Sequence, residues 1–264
     1  MLNDVTIGQY IPGDSPVHRA DPRVKILLTI AYMVVIFFID TYIGFFMYLL
    51  FTLLVITVSN LPLRYTVKGM KPIMFIVVFT AIINIFTTGG TPIFEWRFVT
   101  ITREGIDAAV LLSLRLILLV MSASLLTLTT TPISLTDGIE MLMNPLKKIK
   151  VPVHEIAMMM SIALRFIPTL LDETDKIIKA QTSRGADFDT GNIVQKAKSF
   201  IPVLIPLFIS AFRRADDLAT AMEARCYRGG VGRTRMKQFK ISQNDYIITG
   251  VMILFTAFVL FIQH

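Results

Sequence analysis

Hydrophobic residues come in long blocks that contain no charged side chain. Five runs of 14, 23, 23, 21 and 19 residues lack Asp, Glu, Lys and Arg altogether. A helix needs roughly 17–25 apolar residues to cross a bilayer, so the first run is short and the other four are long enough. The pattern predicts an all-α integral membrane protein with about five transmembrane helices, over residues 26–39, 41–63, 72–94, 116–136 and 246–264.

The segment between the last two predicted spans has a different pattern. Residues 131–244 carry 17 of the 26 Lys and Arg residues, yet apolar residues recur there at intervals of three and four. This spacing places apolar side chains on one face of a helix. We predict two long amphipathic helices, one of about 30 residues that ends at 183–185 and one over about 192–227.

A shorter third helix is predicted over 134–146, capped by Ser134 or Thr136 and stopped at Asn144-Pro145. In the second long helix, Pro202 and Pro206 are expected to cause a bend, because proline lacks the N–H of the helical hydrogen bond. The long helices are judged too charged to cross a membrane and too apolar to lie bare in water. We expect them to pack on each other as an antiparallel hairpin and to leave apolar surface for a partner.

The distribution of basic residues predicts an orientation. Cytoplasmic loops are enriched in Lys and Arg, which places the N-terminus, the 60–71 loop and the segment 131–244 inside the cell. The 87–104 loop is then outside, with a short hairpin over its alternating stretch 94–102. Within the fourth span, Arg115 is expected to snorkel or to face the interior of the bundle, since no second ionisable residue is found at a similar depth.

The composition agrees with a membrane protein and excludes several kinds of site. The chain is 54% apolar and 17% charged, with a mean hydropathy of +0.65. One cysteine, Cys226, excludes a disulfide framework, and three scattered histidines do not suggest a zinc site. No nucleotide-binding P-loop motif and no set of catalytic residues is found. We expect no catalytic residue, no metal site and no cofactor, and no nucleic acid as a partner.

Three short stretches carry a family resemblance. They are GQYIPGDSPVHRADPRVK at 8–25, QTSRGA at 181–186 and AMEARCYRGG at 221–230. In this order, and with these predicted helices, they resemble the transmembrane T component of energy-coupling-factor (ECF) transporters over essentially the whole chain. An Arg-Gly pair at one helix end is usually only a C-cap, whereas two such ends separated by one long helix are specific.

The resemblance implies a site at the ends of the two long helices. In that family these are coupling helices, each ending in an Ala-Arg-Gly motif that contacts an ATPase. The matching triplets here depart from the motif twice, and the second departure puts in doubt how sharply the second helix ends. The arginine is kept in both, and its planar guanidinium suits a contact with carboxylates and carbonyls. The implied site residues are Ser183, Arg184, Gly185, Ala224, Arg225 and Cys226.

The resemblance also implies partners and a function. The partners would be two ATP-binding-cassette ATPases in the cytoplasm and an integral-membrane S component that captures a vitamin. The chain would lie in the bacterial cell membrane as a non-catalytic scaffold that transmits the ATPase movement to the S component. Its parts would be spans one to four in 1–130, a cytoplasmic coupling domain in 131–244 and a last span in 245–264.

Two other functions remain open at this stage. A T component dedicated to a cobalt or nickel importer is possible within the same family, although the N-terminal stretch resembles the shared, vitamin-serving kind. A stand-alone secondary transporter is less favoured, because it would need internal repeats and ionisable groups at the bilayer midplane. A membrane-bound enzyme is disfavoured by the missing catalytic residues.

Overall fold

The computed structural model describes residues 10–96, 99–188, 192–230 and 239–263. Parts of several predicted segments therefore lie outside the described residues, namely 8–9 of the N-terminal stretch, 97–98 of the outer hairpin, 189–191 and 231–238 of the segment 131–244, and 264 of the last span. The helices are α1 (Pro16–Arg19), α2 (Pro22–Phe37), α3 (Tyr42–Val58), α4 (Leu63–Thr87), α5 (Arg103–Thr129), α6 (Pro132–Met143), α7 (Val153–Ser183), α8 (Ile193–Ser199), α9 (Ile201–Ala224) and α10 (Gln243–Gln263).

The all-α membrane class is confirmed, and length and composition give a set of candidate spans that only partly overlaps the predicted one. Among the described residues, four helical stretches are long and apolar enough to cross a bilayer: α5, α7, α10, and Val194–Ala224, which joins most of α8 to α9. Helix α4 has two parts, Arg64–Lys71 and Ile73–Thr87, whose axes differ by 59°. It is a fifth candidate if the two parts form one span. Helices α2 and α3 are shorter, with 16 and 17 residues.

Length and composition alone therefore do not exclude the two long amphipathic helices from a membrane, although we expected both to be too charged to cross it. In α7, the charged residues collect after Leu171, and only Glu155 and Arg165 interrupt the apolar stretch before it. The expectation rested on the charge of the whole helix, whereas a bilayer is spanned by a window of about 18–20 residues. Length and composition do not themselves place either helix in or out of the membrane.

Contacts divide the chain into two units. Of the described residues, the membrane unit comprises 10–96, 99–142 and 239–263, and the helix-pair unit comprises 143–188 and 192–230. Helix α6 lies almost wholly in the membrane unit, where Gly138 packs against Pro22 and Ile26 of α2. The first change of unit thus falls at 142–143, later than the predicted start at 131, and the second lies outside the described residues.

The core of the membrane unit lies where α2, α3, α5 and α10 meet. Its largest fully buried side chains include Tyr48, Phe45 and Leu118. The hydroxyl of Tyr32 lies 2.6 Å from that of Thr52, so α2 and α3 are also joined by a buried hydrogen bond. Tyrosine hydroxyls in such a core need a partner, because an unpaired polar group in an apolar interior is costly.

Helix starts in this unit follow local capping rules. Thr41 and Thr102 each accept a hydrogen bond from the N–H three residues on, at the starts of α3 and α5. Asp21 caps α2, whose first residue is Pro22. Small polar side chains at this position satisfy N–H groups that the first helical turn leaves free.

The predicted outer hairpin is confirmed. Strands β1 (Pro92–Trp96) and β2 (Val99–Thr102) pair antiparallel, with Pro92 opposite Thr102. Helix α4 ends at Thr87, seven residues before the end of the predicted span 72–94, because the chain turns into β1 there. Helix α5 starts at Arg103, well before the predicted span 116–136. Its first turns carry charged residues, whereas the predicted span contains none.

The short helix α6 confirms the predicted helix and corrects its cap. The helix starts at Pro132, and the hydroxyl of Thr131 accepts the N–H of Ser134, so the cap is Thr131 instead of Ser134 or Thr136. The α-helix ends at Met143, as the Asn144-Pro145 pair predicts. A 3-10 helix, Asn144–Ile149, follows it.

Arg115 has an ionisable neighbour that the sequence reading missed. Its guanidinium donates to the carbonyl of Ile39 at 2.9 Å and to Asp40 Oδ1 at 3.1 Å. It also lies over the rings of Phe37 and Phe45, 5.7 Å from each centroid. The expectation that no second ionisable residue accompanies Arg115 is wrong, since Asp40 is supplied by the turn between α2 and α3.

Candidate functional site

Helices α7 and α9 form an antiparallel pair, as predicted. At one end, Gln181 Nε2 donates to the Pro202 carbonyl at 3.4 Å. At the other end, the Tyr227 hydroxyl lies 3.4 Å from His154 Nε2. The C-terminal end of α7 thus lies beside the start of α9, and the C-terminal end of α9 lies beside the start of α7.

A polar cluster joins the two helices near their middle. The carboxylate of Glu173 on α7 accepts hydrogen bonds from Ser210 and, at 2.7 Å, from Arg214, both on α9. The side chains of Glu173 and Arg214 are 24% and 40% exposed. The ion pair links one position on each helix and therefore favours one register of the pair.

The predicted bend in the second long helix appears as a break. Helix α8 ends at Ser199 and α9 begins at Ile201, with Phe200 between them. Pro202 cannot donate to the carbonyl four residues earlier, so the helical hydrogen bonds are interrupted at this point. Pro206 lies inside α9, which continues past it.

Helix α9 leaves large apolar side chains uncovered, as expected for a partner surface. Spacings of three and four residues place several of them near one another on the helix. These exposed apolar residues of α9 are Ile201, Leu204, Ile205, Phe208, Ile209 and Phe212, and each is at least 45% exposed.

The C-terminal end of α7 is a Schellman motif centred on Gly185. The Gly185 N–H donates to the Thr182 carbonyl, and the Ala186 N–H donates to the Gln181 carbonyl, both at 3.0 Å. Gly185 has φ of 88°, the left-handed conformation that this motif requires. Arg184 is the C-cap residue, so its side chain projects from the last position of the helix.

The C-terminal end of α9 repeats the same motif. The Cys226 N–H donates to the Glu223 carbonyl at 2.8 Å, and the Tyr227 N–H donates to the Met222 carbonyl at 3.0 Å. Cys226 takes the left-handed conformation with φ of 54°. Arg225 is the C-cap residue here. Replacement of glycine by Cys226 therefore does not prevent a sharp helix end.

The two arginines occupy equivalent positions on separate ends of the pair. Arg184 and Arg225 are exposed, and neither makes an ion pair within the described part of the chain. Because the helices are antiparallel and α7 has 31 residues, the two ends are separated by roughly 45 Å. The structure therefore does not bring the triplets 183–185 and 224–226 into one site.

The N-terminal stretch begins with a turn built around His18. The Ser15 hydroxyl accepts the His18 N–H and lies 2.7 Å from its Nδ1, while Nε2 lies 3.1 Å from the Ile11 carbonyl. Burial lowers the pKa of His18, although its contact with the Ile11 carbonyl acts in the opposite direction. Both ring nitrogens are thus used within the chain.

A second part of the stretch joins α2 to α10. Asp21 receives hydrogen bonds from Arg23, while the Asp21 N–H donates to Asp245 Oδ1 at 2.8 Å. The other carboxylate oxygen of Asp245 accepts the Ser242 N–H. Burial alone would raise the pKa of Asp21, but the hydrogen bonds from Arg23 outweigh it and the pKa is lowered.

Lys25 joins the same region to the end of α5. Its ammonium donates to the carbonyls of His18 and Thr129 and to the Thr130 hydroxyl, at 3.0–3.3 Å. The stretch 10–25 thus holds three helix ends together within the membrane unit. The sequence pattern pointed to this stretch but not to its partner Asp245. In the sequence, Asp245 is marked only by its place directly before the last apolar run.

No group of three or more His, Cys, Asp or Glu side chains suited to a metal ion is found among the described residues.

Comparison with known proteins decides the family. Residues 13–237 match the family model CbiQ, described as cobalt transport protein. Over its full length the chain is 63% identical to the energy-coupling factor transporter transmembrane protein EcfT of Ruminiclostridium cellulolyticum, covering 99% of that protein. The chain belongs to the T-component family of ECF transporters. The T component of Clostridium kluyveri is 58% identical over 94% of this chain and 92% of its own length.

More distant relatives carry the same description. The T component of Lactococcus lactis is 46% identical over 97% of this chain and 96% of its own length. The resemblance stated from the three stretches is therefore confirmed. As a member of this T-component family, the chain is a transmembrane component of a transporter.

Proposed function

We propose that the chain is the coupling and scaffold subunit of an ATP-driven ECF importer for a vitamin or another micronutrient. Two ATP-binding-cassette ATPases would bind its cytoplasmic side, and a membrane-embedded S component would carry the substrate. In this proposal residues 131–244 act as the cytoplasmic coupling domain, and the N-terminus is also cytoplasmic. The chain itself hydrolyses no ATP.

The observation that carries the proposal is the repeated helix end. Arg184 and Arg225 are both C-cap residues, and the two residues after each of them close the helix with the same pair of backbone hydrogen bonds. Both side chains are exposed, and neither guanidinium makes an ion pair among the described residues. Guanidinium groups bind carboxylates and carbonyl oxygens with two parallel hydrogen bonds. A pair of such ends about 45 Å apart suits two separate ATPase subunits better than a single binding pocket.

The antiparallel pair supports transmission of movement between these contacts. Helices α7 and α9 are joined near their middle by Glu173 and Arg214 and at both ends by further polar contacts. When the two ATPases approach or separate, each would displace one arginine-bearing end. The exposed apolar surface of α9 offers a place where this displacement reaches the S component.

A second candidate function follows from the description of the matching family model. That model is described as a cobalt transport protein, so a dedicated cobalt or nickel importer stays an alternative for this chain. The relatives at 46–63% identity are described as ECF transporter proteins and favour the first candidate. Co-purification of the native complex, with its subunits identified by mass, distinguishes the two candidate functions. A metal-binding S component would favour the cobalt or nickel importer, and a vitamin-binding S component would favour the first candidate.

The arginines provide the decisive experiment. Arg184→Ala and Arg225→Ala are expected to reduce substrate uptake and ATPase recovery on affinity purification, and the double variant is expected to abolish both. Arg165→Ala and Arg213→Ala are matched controls, because they remove exposed cations from the same two helices away from the ends. Arg→Lys variants at both ends should recover only part of the uptake, since an ammonium lacks the two-pronged geometry.

Normal uptake by the double alanine variant, inserted at the wild-type level, would contradict the proposal. An independent check uses the purified chain alone, which is expected to show no ATP hydrolysis. Turnover that copurifies with this chain in the absence of any other subunit would contradict its non-catalytic role.

A further inference from the structure

A crevice runs from the surface of the membrane unit into its helical core. It has a volume of about 320 Å³ and lies between α2, α3, α5 and α10. Its outer residues Leu54, Ile247 and Val251 are 51%, 62% and 50% exposed, whereas the inner residues Tyr32 and Met252 are 5% and 9% exposed. The crevice is thus continuous with the outer apolar surface of the helices and reaches their buried interior.

The polar groups that line the crevice are already hydrogen-bonded within the protein. Each of the six polar side chains in the lining makes at least one bond to a backbone carbonyl or to a neighbouring hydroxyl. The six are Lys25, Thr29, Tyr32, Thr52, Ser122 and Thr129. Buried water needs two to four polar partners, and a cavity without them stays dry and takes up apolar molecules.

We propose that this crevice binds one acyl chain of a membrane phospholipid, which enters between α3 and α10. The other thirteen lining residues are apolar, and its mouth opens on helix surfaces that a membrane protein exposes to hydrocarbon. A partner helix is about 10–12 Å across, as wide as the spacing of packed helices, so it would stop at the mouth. A single hydrocarbon chain is slender enough to reach Met252.

The site is independent of the proposed coupling function and requires only that the chain lies in a bilayer. The test uses the full chain in nanodiscs of phosphatidylcholine and phosphatidylglycerol, with a trace of phosphatidylcholine that carries a diazirine near the end of one acyl chain. After illumination, adducts are mapped by mass spectrometry of peptides. Adducts are expected on the buried residues Met252 and Ser122 as well as on exposed residues.

A pair of substitutions on α10 distinguishes the crevice from general contact with lipid. Val251→Trp narrows the mouth, and Leu254→Trp adds the same ring at a 73% exposed position outside the lining. We expect Val251→Trp to reduce the adducts at Met252 and Ser122 at least tenfold and Leu254→Trp to leave them unchanged. If Val251→Trp does not fold, Val58→Trp on α3, at another exposed residue of the lining, replaces it.

Three results would overturn the proposal. One is the absence of adducts on the buried residues in the unsubstituted chain. Another is equal labelling of the Val251→Trp and Leu254→Trp variants. The third is loss of the adducts at Met252 when the other subunits of the complex are present, which would mean that a protein partner occupies the crevice.

Discussion

Gly185 and Cys226 occupy the same position, the first residue beyond the C-cap, at the ends of α7 and α9, with φ of 88° and 54°. Both donate to the carbonyl three residues earlier, and in both cases the next N–H closes the motif. The left-handed conformation costs a residue with a Cβ roughly 1–2 kcal/mol, whereas glycine adopts it freely. Only Cys226 therefore stores a backbone penalty at its helix end.

Cys226→Gly is expected to stabilise the end of α9 by about 0.5–1 kcal/mol, because it removes the backbone penalty of Cys226. Hydrogen exchange of the Cys226 and Tyr227 amide positions should slow several-fold. Cys226→Ala is the matched control: it removes the thiol, keeps the Cβ and should leave exchange unchanged. Faster exchange in the glycine variant would mean that the Cys226 side chain holds the end in place.

Gly185→Ala is expected to weaken the end of α7 by about 1 kcal/mol. A Cβ at this position meets no atom within 4 Å, so the cost arises from the backbone alone. The measurement is amide exchange at Gly185 and Ala186, compared with Ala163→Gly inside the same helix, which should affect the helix interior instead. Unchanged exchange at the α7 end would show that the φ of Gly185 is not required there.

These two ends indicate how far sequence reasoning reaches. The end of α7 was predictable because glycine directly after an apolar-periodic helix is a strong stop signal. The start of α5 at Arg103 was not, because its first turns carry Arg103, Glu104 and Asp107, and a count of charge-free residues starts the segment later. Charge alone is a weak guide to where a long helix begins.

Contacts between distant parts of the chain were beyond the sequence pattern. Asp21 and Asp245 are 224 residues apart and meet through one backbone hydrogen bond. No spacing rule links them, since each reads separately as an acidic residue at the start of a helix. The arginine-bearing helix ends, in contrast, were found because their residues are local and their order along the chain matches a known family.

Arg115 and Asp40 allow a test of how a charged side chain is held at the membrane unit. Arg115→Met removes the bonds to both the Ile39 carbonyl and Asp40 and is expected to destabilise the chain by about 1–3 kcal/mol. Asp40→Asn should cost less than about 1 kcal/mol, because Asp40 is 79% exposed and Arg115 keeps its bond to Ile39. Thermal denaturation in detergent measures the stability of both variants. If both lose the same stability, the contact with Asp40 makes the main contribution of Arg115.

The ion pair of Asp21 with Arg23 predicts an acid-sensitive contribution to stability. Because the pKa of Asp21 is lowered in the folded chain, its contribution is complete well above its ordinary value of 3.8 and declines as the pH falls through the lower folded-state value. Asp21→Asn should therefore lower the apparent Tm at pH 7, and the difference from wild type should narrow towards pH 3. A difference that does not change with pH would mean that the charge of Asp21 does not contribute to stability, because asparagine caps a helix as well as aspartate does.

Glu173 and Arg214 form an ion pair, so we predict that their charges can be exchanged together but not one at a time. Glu173→Arg alone places two cations together, and Arg214→Glu alone places two carboxylates together, so each is expected to loosen the contact between α7 and α9. The double variant restores opposite charges and should recover much of the loss. The distance between spin labels on cysteines introduced at the exposed positions Lys179 and Ile205, in a Cys226→Ala background, reports the spacing of the helices. Ser210→Ala is the milder control, because it removes one hydrogen bond and keeps the ion pair.

The prediction fails if the increase in helix spacing in the double variant equals the sum of the increases in the two single variants. In that case the register of the two helices is set by their apolar packing and not by this ion pair.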